Sequence, residues 1–592
     1  MRPRGSVLWM LLVVACLRPP SRAAPLVAIV DDSERIARRD GDRAVLRGVG
    51  NPVWAPGQPV RLFGLPGETV ALQVVVTAAQ EPLRGVTVEL PALEGPVRLA
   101  NQGSGRFQPI ERFVVAELEL RRRSGGRHAG ESLGWAPGAM PPGPRPPTEV
   151  PEPLIPIELA PPWADYPMTV APGEHRVVWI DLTLPEQGLP PGVYRGELRV
   201  AAGAKELARQ PVLLEVGHLR LPYAAVRTMV YYDPQEIRGV TGSDEAVRHY
   251  LQLMHRHHLS TIFRIDGPAD VAAQRDELTG ALFTAAHGYD GPGAGRGADV
   301  IALGTYGSLG MPTPERLGRI EQTMRALEEA GVLASRPTVF LYAADERCDS
   351  PAGPAWRTAL DGSASPQVRA VLVGHTCSAS PLEQRVDLAM VHAAAYNPVQ
   401  AERAVRLGKR VWIYNGSLPA TGSFLTDGGV LSLRANGWIQ ARYGIERWFY
   451  WESTFWNDDN RGGHGPYDPL LVAETFHNHH GDWANGDGVL VYPGRQVAAG
   501  RRSLGFAGVI ASLRLKQWRR GISDAGYLQL CRQAGGEVAR QAEAEAARLI
   551  PRALSQAEPG PAPWPQSGAP YVAARRRLFD LLHQKAPPLP AR

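Results

Sequence analysis

Two adjacent acids, Asp345 and Glu346, are the residues of this sequence best placed to do chemistry. They follow a strongly apolar run, residues 338–344, with the composition of a β-strand. Two buried carboxylates repel each other when both are ionised, and this helps to keep one of them protonated. Because general acid catalysis needs a protonated group, we predict that Asp345 and Glu346 form the catalytic centre. Alternatively, the pair only stabilises the N-terminus of a following helix.

Aromatic and polar residues end two other apolar runs. Residues 410–414 are followed by Asn415, and residues 446–451 are followed by Glu452. Flat aromatic rings pack against the C–H faces of sugars, while polar groups nearby bind sugar hydroxyls. The pattern predicts a carbohydrate site, unless these rings belong to the core. The predicted substrate-binding residues are Tyr342, Tyr414, Asn415, Tyr450, Trp451, Glu452 and Trp456.

Glu452 is a third acid, and its role has two interpretations. It could orient the substrate, or it could act as a nucleophile with Glu346 as the acid. In a retaining pair of the second kind the carboxyl groups lie about 5–5.5 Å apart.

The pattern from residue 226 onward predicts how these residues come together. Apolar strand-like runs alternate with helical patterns, which indicates parallel strands with crossover helices, and the length of 226–494 suits a (β/α)8 barrel. The C-terminal ends of barrel strands meet at one face, where active sites lie. Nine strands are predicted where a barrel has eight, so one is wrong or lies outside the barrel: 228–232, 261–265, 299–306, 338–342, 368–373, 388–394, 410–414, 446–451 and 488–492.

The segments before and after the predicted barrel differ from it in their predicted secondary structure. Residues 26–221 contain short strands with Pro/Gly turns and predict a β-sandwich, interrupted at 124–156 by a Gly/Pro-rich surface loop. Residues 495–592 predict a helical segment, with helices at 512–520, 527–534 and 537–549. The predicted fold class is therefore α/β plus all-β: an N-terminal β-sandwich, a TIM barrel and a C-terminal helical segment.

The N-terminus predicts export. Arg2 and Arg4 precede an apolar run, 7–15, that is far shorter than the about 20 residues a membrane helix needs. Residues 1–23 are therefore predicted to be a signal peptide, cleaved after Ala23 or, in a lipoprotein, before a lipidated Cys16. We expect a periplasmic, outer-membrane lipoprotein or secreted protein that contacts a membrane only through such an anchor.

Other sequence features indicate few additional functions. The net charge of +5 is spread without a basic stripe, so no nucleic-acid partner is expected. The histidine-rich tracts 255–258 and 477–480 lack accompanying ligands at metal-site spacing, which favours surface or packing roles, and we expect no metal and no cofactor. Cys348 and Cys377 could form a disulfide or remain separate buried thiols. The sequence leaves the oligomeric state open.

Motifs spread over most of the chain carry a family resemblance. Residues 342–346 read Tyr-Ala-Ala-Asp-Glu, residues 486–494 contain Gly-Asp-Gly before an apolar run, and 512–528 contain Ser-Leu-Arg-Leu and Arg-Arg-Gly-Ile-Ser-Asp. These segments, with 67–73 and 192–196, resemble family 123 glycoside hydrolases and the related "domain of unknown function 4091" group. In that comparison 486–494 looks like the final barrel strand. Arg347 replaces the proline of the family's Tyr-x-x-Asp-Glu-Pro motif, and Ala525-Gly526 replaces Tyr-Glu.

The resemblance implies a substrate-assisted, retaining cleavage of β-linked N-acetylhexosaminides, in which the substrate's acetamido oxygen attacks the anomeric carbon. Asp345 would orient the acetamido group and stabilise the oxazolinium, and Glu346 would protonate the leaving oxygen and then activate water. Tyr414 or Tyr450 would hydrogen-bond the acetamido oxygen. A cation at Arg347 would favour the ionised form of both acids and weaken the acid. The alternative function is a non-catalytic glycan-binding or cell-envelope protein on the same scaffold.

Overall fold

The computed structural model describes residues 25–102, 106–126, 146–457, 467–478 and 481–583. The predicted signal peptide, including Cys16, lies outside these ranges, as do His479 and His480. In the described part of the chain, no helix is both long and apolar enough to cross a membrane.

The first twelve strands form two sheets that share a hydrophobic core. The five-stranded sheet is antiparallel, in the order β1-β3-β10-β7-β8, and the seven-stranded sheet is built on β2-β12-β11-β4-β9 with β5 and β6 attached. The strands are β1 Leu26–Asp31, β2 Val60–Gly64, β3 Thr69–Thr77, β4 Leu83–Glu89, β5 Ala92–Glu94, β6 Leu99–Ala100, β7 Ile110–Leu120, β8 Thr148–Pro156, β9 Met168–Val170, β10 His175–Thr183, β11 Gly192–Ala202 and β12 Lys205–Val216. The interruption predicted at 124–156 therefore ends in an edge strand, β8.

The two sheets differ in how their outer faces are covered. In β11 the buried side chains alternate with exposed ones, as expected for a sheet with one face in water. By contrast, every residue of β10 is buried, and so is nearly all of β3. The polar residues Gln73 and Asp181 on these strands are thus inside the protein, which means that the five-stranded sheet is covered on both faces.

Eight further strands form a parallel sheet that curls into a nearly closed barrel. They are β13 Arg227–Tyr231, β14 Thr261–Ile262, β15 Val300–Leu303, β16 Thr338–Ala344, β17 Leu372–Cys377, β18 Leu388–His392, β19 Arg410–Tyr414 and β20 Arg447–Tyr450, in the order β14-β13-β20-β19-β18-β17-β16-β15. The two ends meet where Ile265 N donates to Ala302 O at 3.2 Å and Gly304 N donates to Ile265 O at 3.1 Å. The predicted barrel is confirmed, whereas the domain boundaries remain predictions.

Twelve α-helices accompany these strands within the described residues. They are α1 Pro234–Thr241, α2 Asp244–Arg256, α3 Pro268–Ala273, α4 Arg275–Thr279, α5 Pro314–Glu329, α6 Ala352–Asp361, α7 Pro366–Arg369, α8 Pro398–Arg406, α9 Ser432–Tyr443, α10 Leu513–Ala534, α11 Gly536–Leu549 and α12 Gly568–His583. The histidines of the tract 255–258 at the end of α2 are buried, and burial lowers the pKa values of His255, His257 and His258. They are packing residues.

Inward-facing side chains fill the barrel. Large residues lie at alternate positions along the strands, so that Phe340 and Tyr342 of β16 face Trp412 and Tyr414 of β19. The full set is Met229, Ile262, Val300, Ala302, Phe340, Tyr342, Leu388, Met390, Trp412, Tyr414 and Phe449. Tyr342 and Tyr414 are the inward residues nearest the C-terminal ends of their strands, which places their hydroxyls close to the residues that follow.

Two strand predictions are wrong. The ninth candidate, 488–492, is not in the barrel: β23 Val491–Pro493 pairs antiparallel with β24 Val509–Ala511, while β21 Glu474–His477 pairs with β22 Trp483–Asn485. The fifth barrel strand begins at Leu372 rather than at residue 368, because Ser365 caps the helical turn α7 by accepting a hydrogen bond from Val368 N.

The helices predicted at 512–520 and 527–534 are a single helix, α10. The glycines between them suggest a break, since glycine costs about 1 kcal/mol in a helix interior. Here they permit contact instead, because a Cβ on Gly437 of α9 would lie 2.3 Å from the carbonyl carbon of Gly521. The two helices cross so closely that only glycine fits, and packing offsets the poor helix propensity.

Charged side chains of α10 are buried in ion pairs with the five-stranded sheet. Arg520 Nε lies 2.7 Å from Asp32 Oδ2, and Arg520 Nη1 lies 2.5 Å from Glu68 Oε1. The α10 ion-pair network consists of Arg514–Glu152, Lys516–Asp181, Arg519–Asp181, Arg520–Asp32, Arg520–Glu68 and Asp524–Arg434, all with buried side chains. Burial by itself would raise the pKa of Asp181, but Arg519 and Lys516 outweigh it and hold that pKa well below its usual range.

We expect Arg520→Ala to destabilise the protein strongly, because it leaves the buried carboxylates of Asp32 and Glu68 without this cation. Removing one partner of a buried pair costs about 3–5 kcal/mol. Guanidinium denaturation followed by tryptophan fluorescence measures the loss. As a control, Arg532→Ala breaks the exposed pair with Glu543 and should cost at most about 1 kcal/mol. Equal effects of the two variants would contradict a structural role for the network.

Candidate active site

Asp345 and Glu346 lie at the C-terminal end of β16, at the face of the barrel where active sites occur. Both side chains are exposed, so the expectation that they are buried together is wrong. The reason is local: after Ala344 the chain leaves the barrel in a turn, and the residues of that turn face solvent. Arg347, also in this turn, is exposed too, so water screens its charge.

The Asp345 carboxylate is held by hydroxyl groups. Thr376 Oγ1, at the end of the neighbouring strand β17, donates to Asp345 Oδ1 at 2.7 Å. Tyr342 Oη lies 3.0 Å from the same oxygen and 3.1 Å from Thr376 Oγ1, so it can donate to either. These bonds fix the orientation of Asp345 and involve only its Oδ1.

Glu346 is held by Tyr414 at its carboxylate and by Thr376 at its backbone N–H. Tyr414 Oη donates to Glu346 Oε1 at 3.1 Å, and Glu346 N donates to Thr376 Oγ1 at 2.9 Å. The Glu346 backbone has φ +47°, a left-handed conformation that costs a non-glycine residue about 1–2 kcal/mol. Because Thr376 contacts both acids, it fixes their relative position.

A disulfide closes the same turn. It joins Cys348, two residues after Glu346, to Cys377, which is adjacent to Thr376. Of the two alternatives left open by the sequence, the structure therefore has the bridge. The acid-bearing turn is thus attached to β17 both by hydrogen bonds and by a covalent bond.

Trp451 is an aromatic residue at this face whose side chain remains partly accessible, as do those of Tyr231 and Tyr306. Its side chain is half-buried. Its backbone N–H donates to Asn415 Oδ1 at 3.3 Å, and Tyr306 Oη donates to its backbone carbonyl. Asn415, itself predicted to bind substrate, thereby supports Trp451. Asn415 also has a left-handed backbone, with φ +56°.

Two predicted substrate-binding residues are in the core instead. Tyr450 is 1% exposed, stacks on Phe424 with ring centroids 4.0 Å apart, and donates to Asp487 Oδ1 at 3.2 Å. Trp456 is 2% exposed and donates through Nε1 to Val491 O at 3.1 Å. Neither can present a ring face to a sugar, so these two assignments are corrected. The hydroxyls of Tyr342 and Tyr414 support the acids from below, since both rings are buried.

Glu452 is buried and anchored through one oxygen. Its Oε1 accepts hydrogen bonds from Ser453 N and Thr454 N, both at 2.7 Å, and from Thr454 Oγ1 at 2.9 Å. Burial outweighs these bonds and raises the pKa of Glu452 to about 8. At neutral pH this carboxyl is therefore mostly protonated, and it can donate a hydrogen bond.

Three contributors were not predicted from the sequence: Thr376, Tyr231 and Tyr306. Tyr306 packs between Tyr231, which it meets edge to face, and Tyr342, whose ring is tilted against it, with ring centroids 5.1 and 5.2 Å away. Burial raises the pKa of Tyr231, and the nearby Glu452 raises it further. Residues at the C-terminal ends of barrel strands line the active-site face, which applies to Thr376, one residue before the end of β17, and to Tyr231, the last residue of β13.

The arrangement can perform acid–base chemistry on a neutral, hydroxyl-rich ligand. It has two adjacent carboxyl groups with different partners, a neutral buried carboxyl and an accessible tryptophan. Within the described residues, no group of three or more His, Cys, Asp or Glu side chains could hold a metal ion.

Comparison with known proteins supports a glycosidase class. Residues 363–531 match the family model described as glycoside hydrolase 123, catalytic domain. This segment contains Thr376, Tyr414, Trp451 and Glu452, whereas Asp345 and Glu346 precede it. None of the curated proteins matches the sequence.

Solved structures support the fold. A family 123 glycoside hydrolase from Clostridium perfringens, studied for glycolipid glycan hydrolysis, is similar with a TM-score of 0.62 and 13% identity, covering 95% of this chain and 98% of that chain. A family 39 glycoside hydrolase from Bacteroides cellulosilyticus WH2 has a TM-score of 0.26 and 12% identity, covering 67% of this chain and 80% of that chain. A score as low as the second does not establish a common fold.

We expect loss of the disulfide to loosen the turn that carries the acids. In the variant Cys348→Ser/Cys377→Ser, amide hydrogen exchange at Glu346 should accelerate, by about tenfold for each 1.4 kcal/mol of local stability lost. Mass-spectrometric hydrogen exchange over peptides covering 345–350 measures this. Cys531→Ser, at a buried free cysteine, is the control and should leave that exchange unchanged. Unchanged exchange in the double variant would show that hydrogen bonds alone hold the turn.

We also expect Glu452 to make stability depend on pH. Because its pKa rises from 4.5 when unfolded to about 8 when folded, the native state binds the proton more tightly. Its contribution to the free energy of unfolding is therefore present below pH 4.5 and is lost as the pH rises toward 8, by up to about 1.4 kcal/mol per pH unit. Thermal unfolding between pH 5 and 8 should show that Glu452→Gln gains stability relative to wild type as pH rises. The exposed control Glu315→Gln should track wild type, and a pH-independent difference for Glu452→Gln would refute the assignment.

Proposed function

We propose that this chain, whose residues 363–531 match the catalytic domain of glycoside hydrolase 123, cleaves β-linked N-acetylhexosaminides with retention, using the substrate's acetamido group as nucleophile. The observation that carries this proposal is the pair Asp345 and Glu346 at the C-terminal face of the barrel, each held by its own phenol. Two acids with separate partners suit two separate roles.

Asp345 positions the nucleophile. The hydroxyl groups of Thr376 and Tyr342 bond to its Oδ1, so Oδ2 can accept a hydrogen bond from the acetamido N–H. That bond turns the acetamido oxygen toward the anomeric carbon. The oxygen forms a bond to that carbon as the bond to the leaving oxygen breaks, and the Asp345 carboxylate stabilises the positive charge of the resulting oxazolinium.

Glu346 transfers protons at the leaving oxygen. It donates a proton to that oxygen as the glycosidic bond breaks, and it then accepts a proton from the water that opens the oxazolinium. The hydrogen bond from Tyr414 holds Glu346 Oε1 in place through both steps. Two displacements at the same carbon leave the product with the configuration of the substrate.

Trp451 and Glu452 bind the sugar in this proposal. The accessible indole supplies an apolar surface for the ring, and the neutral carboxyl of Glu452 donates to a hydroxyl. The protonated state of Glu452 also argues against the alternative in which it is the nucleophile, because a neutral carboxyl is a poor one.

Export is part of the proposal. The disulfide between Cys348 and Cys377 lies beside the acids, and such bonds persist in oxidising compartments. It supports a periplasmic, lipid-anchored or secreted enzyme that meets its glycan outside the cytoplasm.

We expect Glu346→Gln to reduce kcat on aryl N-acetyl-β-hexosaminides by about 10²–10⁴-fold, with larger losses for more basic leaving groups, because these need more protonation. The control Asp349→Asn changes an exposed acid of the same turn and should keep wild-type kinetics. A matched substrate with a 2-hydroxyl in place of the acetamido group should resist cleavage. Full activity of Glu346→Gln would refute the role of Glu346, and rapid cleavage of the 2-hydroxy substrate would refute substrate assistance.

A further inference from the structure

The Gly486-Asp487-Gly488 turn lies beside the candidate active site. Its chain runs along the segment that follows β20: Phe455 N donates to Gly488 O at 2.9 Å, and Leu490 N donates to Ser453 O at 3.0 Å. The motif that the sequence suggested as a barrel strand therefore forms a turn packed against residues 451–455. None of the proposed catalytic steps involves this turn.

Asp487 is a hydrogen-bond acceptor for Trp451. Trp451 Nε1 donates to Asp487 Oδ1 at 3.0 Å, and the buried Tyr450 Oη lies 3.2 Å from the same oxygen. Tyr450 Oη in turn accepts a hydrogen bond from Gly488 N at 2.8 Å. Burial raises the pKa of Asp487 to about 6, so at neutral pH it is mostly ionised and a strong acceptor.

The turn also sets the position of the indole ring. Gly488 has φ +75°, and a Cβ built on it would lie 2.8 Å from Trp451 Cζ2 and 2.8 Å from Phe455 Cβ. The ring therefore packs directly against the Gly488 backbone. Since Asn415 and Tyr306 already fix the Trp451 backbone, the remaining freedom is rotation of the side chain, and the bond to Asp487 removes it.

Arg514 of the α10 ion-pair network holds both ends of the turn. Its Nη1 donates to Gly486 O at 2.8 Å, its Nη2 donates to Val489 O at 2.6 Å, and its Nε donates to Glu152 Oε1 at 2.7 Å. Through Arg514, the turn that carries Asp487 is therefore bonded to Glu152 of the five-stranded sheet.

We propose that Asp487 is a positioning residue that fixes the indole of Trp451 in the orientation that binds the sugar ring. This proposal rests on the proposed function, because it takes Trp451 as a sugar-binding surface. Asp487 itself does not contact the reacting atoms. Its loss should therefore weaken substrate binding more than it slows the chemical step.

Kinetics of Asp487→Ala and Asp487→Asn test this on an aryl N-acetyl-β-hexosaminide. Asp487→Ala should raise KM about tenfold, the equivalent of one hydrogen bond to a charged group, with kcat within about twofold of wild type. Asp487→Asn keeps an acceptor oxygen and should stay within about twofold of the wild-type KM. In a Trp451→Phe background, which lacks the indole N–H, Asp487→Ala should produce no additional rise in KM.

A second measurement needs no activity. In protein labelled with ¹⁵N-tryptophan, the Trp451 indole N–H is assigned by its absence in Trp451→Phe. Its hydrogen exchange should be slow in wild type and in Asp487→Asn, and fast in Asp487→Ala. Unfolding midpoints of all variants show whether any effect is merely a loss of stability.

The outcomes separate this proposal from the proposed function. Slow indole exchange in Asp487→Ala overturns the positioning role of Asp487. The role is also overturned if Asp487→Ala lowers kcat equally in the wild-type and Trp451→Phe backgrounds. A wild-type KM for Trp451→Phe in an active enzyme overturns it too, while leaving the roles of Asp345 and Glu346 intact. Full turnover by Glu346→Gln overturns the proposed function, and the exchange measurement then still decides whether Asp487 orients Trp451.

Discussion

Buried charges on α10 are paired with acids in and beside the five-stranded sheet and with Arg434 of α9. The helix carries Arg514, Lys516, Arg519, Arg520 and Asp524, all nearly inaccessible to water. Taking such charges out of water is costly unless each one is paired and hydrogen-bonded. The acids of the five-stranded sheet and Arg434 of α9 supply those partners, so the helix is buried only when it is docked on both.

This arrangement reaches the active-site face through Arg514. The same guanidinium that pairs with Glu152 also binds two carbonyls of the turn at Gly486 and Val489. Asp345 and Glu346 lie in the turn after β16. Thr376 of β17 and the Cys348–Cys377 disulfide hold that turn in place. The two halves of the site therefore have independent supports, a turn fixed from α10 and a turn fixed from the neighbouring strand.

Much of this could be predicted from the sequence, for a geometric reason. Strands of a parallel barrel end at one face, so an apolar run followed by Asp345 and Glu346 was enough to place both acids there. Residues 512–528, which resemble the family's C-terminal motif, contain Arg514, Arg520 and Asp524. In the structure these three residues form buried ion pairs and do not line the active site. Their partners lie 362, 488 and 90 residues away in the chain, so no local pattern reveals them.

The errors have physical causes as well. A position at or just after a strand end does not distinguish a ring at the open face from one in the core, so the sequence predicts Tyr450 and Trp456 to bind substrate although both are hydrogen-bonded inside the protein, to Asp487 and Val491. Exposure of Asp345 and Glu346 follows from where the chain turns after Ala344, which composition does not specify. Gly521 was misleading because glycine weakens an isolated helix, yet it permits the close crossing with Gly437.

The α10 ion-pair network also constrains the order in which the chain can fold. Asp32 and Arg520 are separated by 488 residues, and Asp181 and Arg519 by 338. During synthesis the N-terminal strands are complete long before α10 exists, so their acids stay hydrated until residues 513–534 have been made. Contacts of such sequence separation form late and slowly. Until α10 docks, Asp32 and Asp181 lack the α10 cations that pair with them in the folded protein.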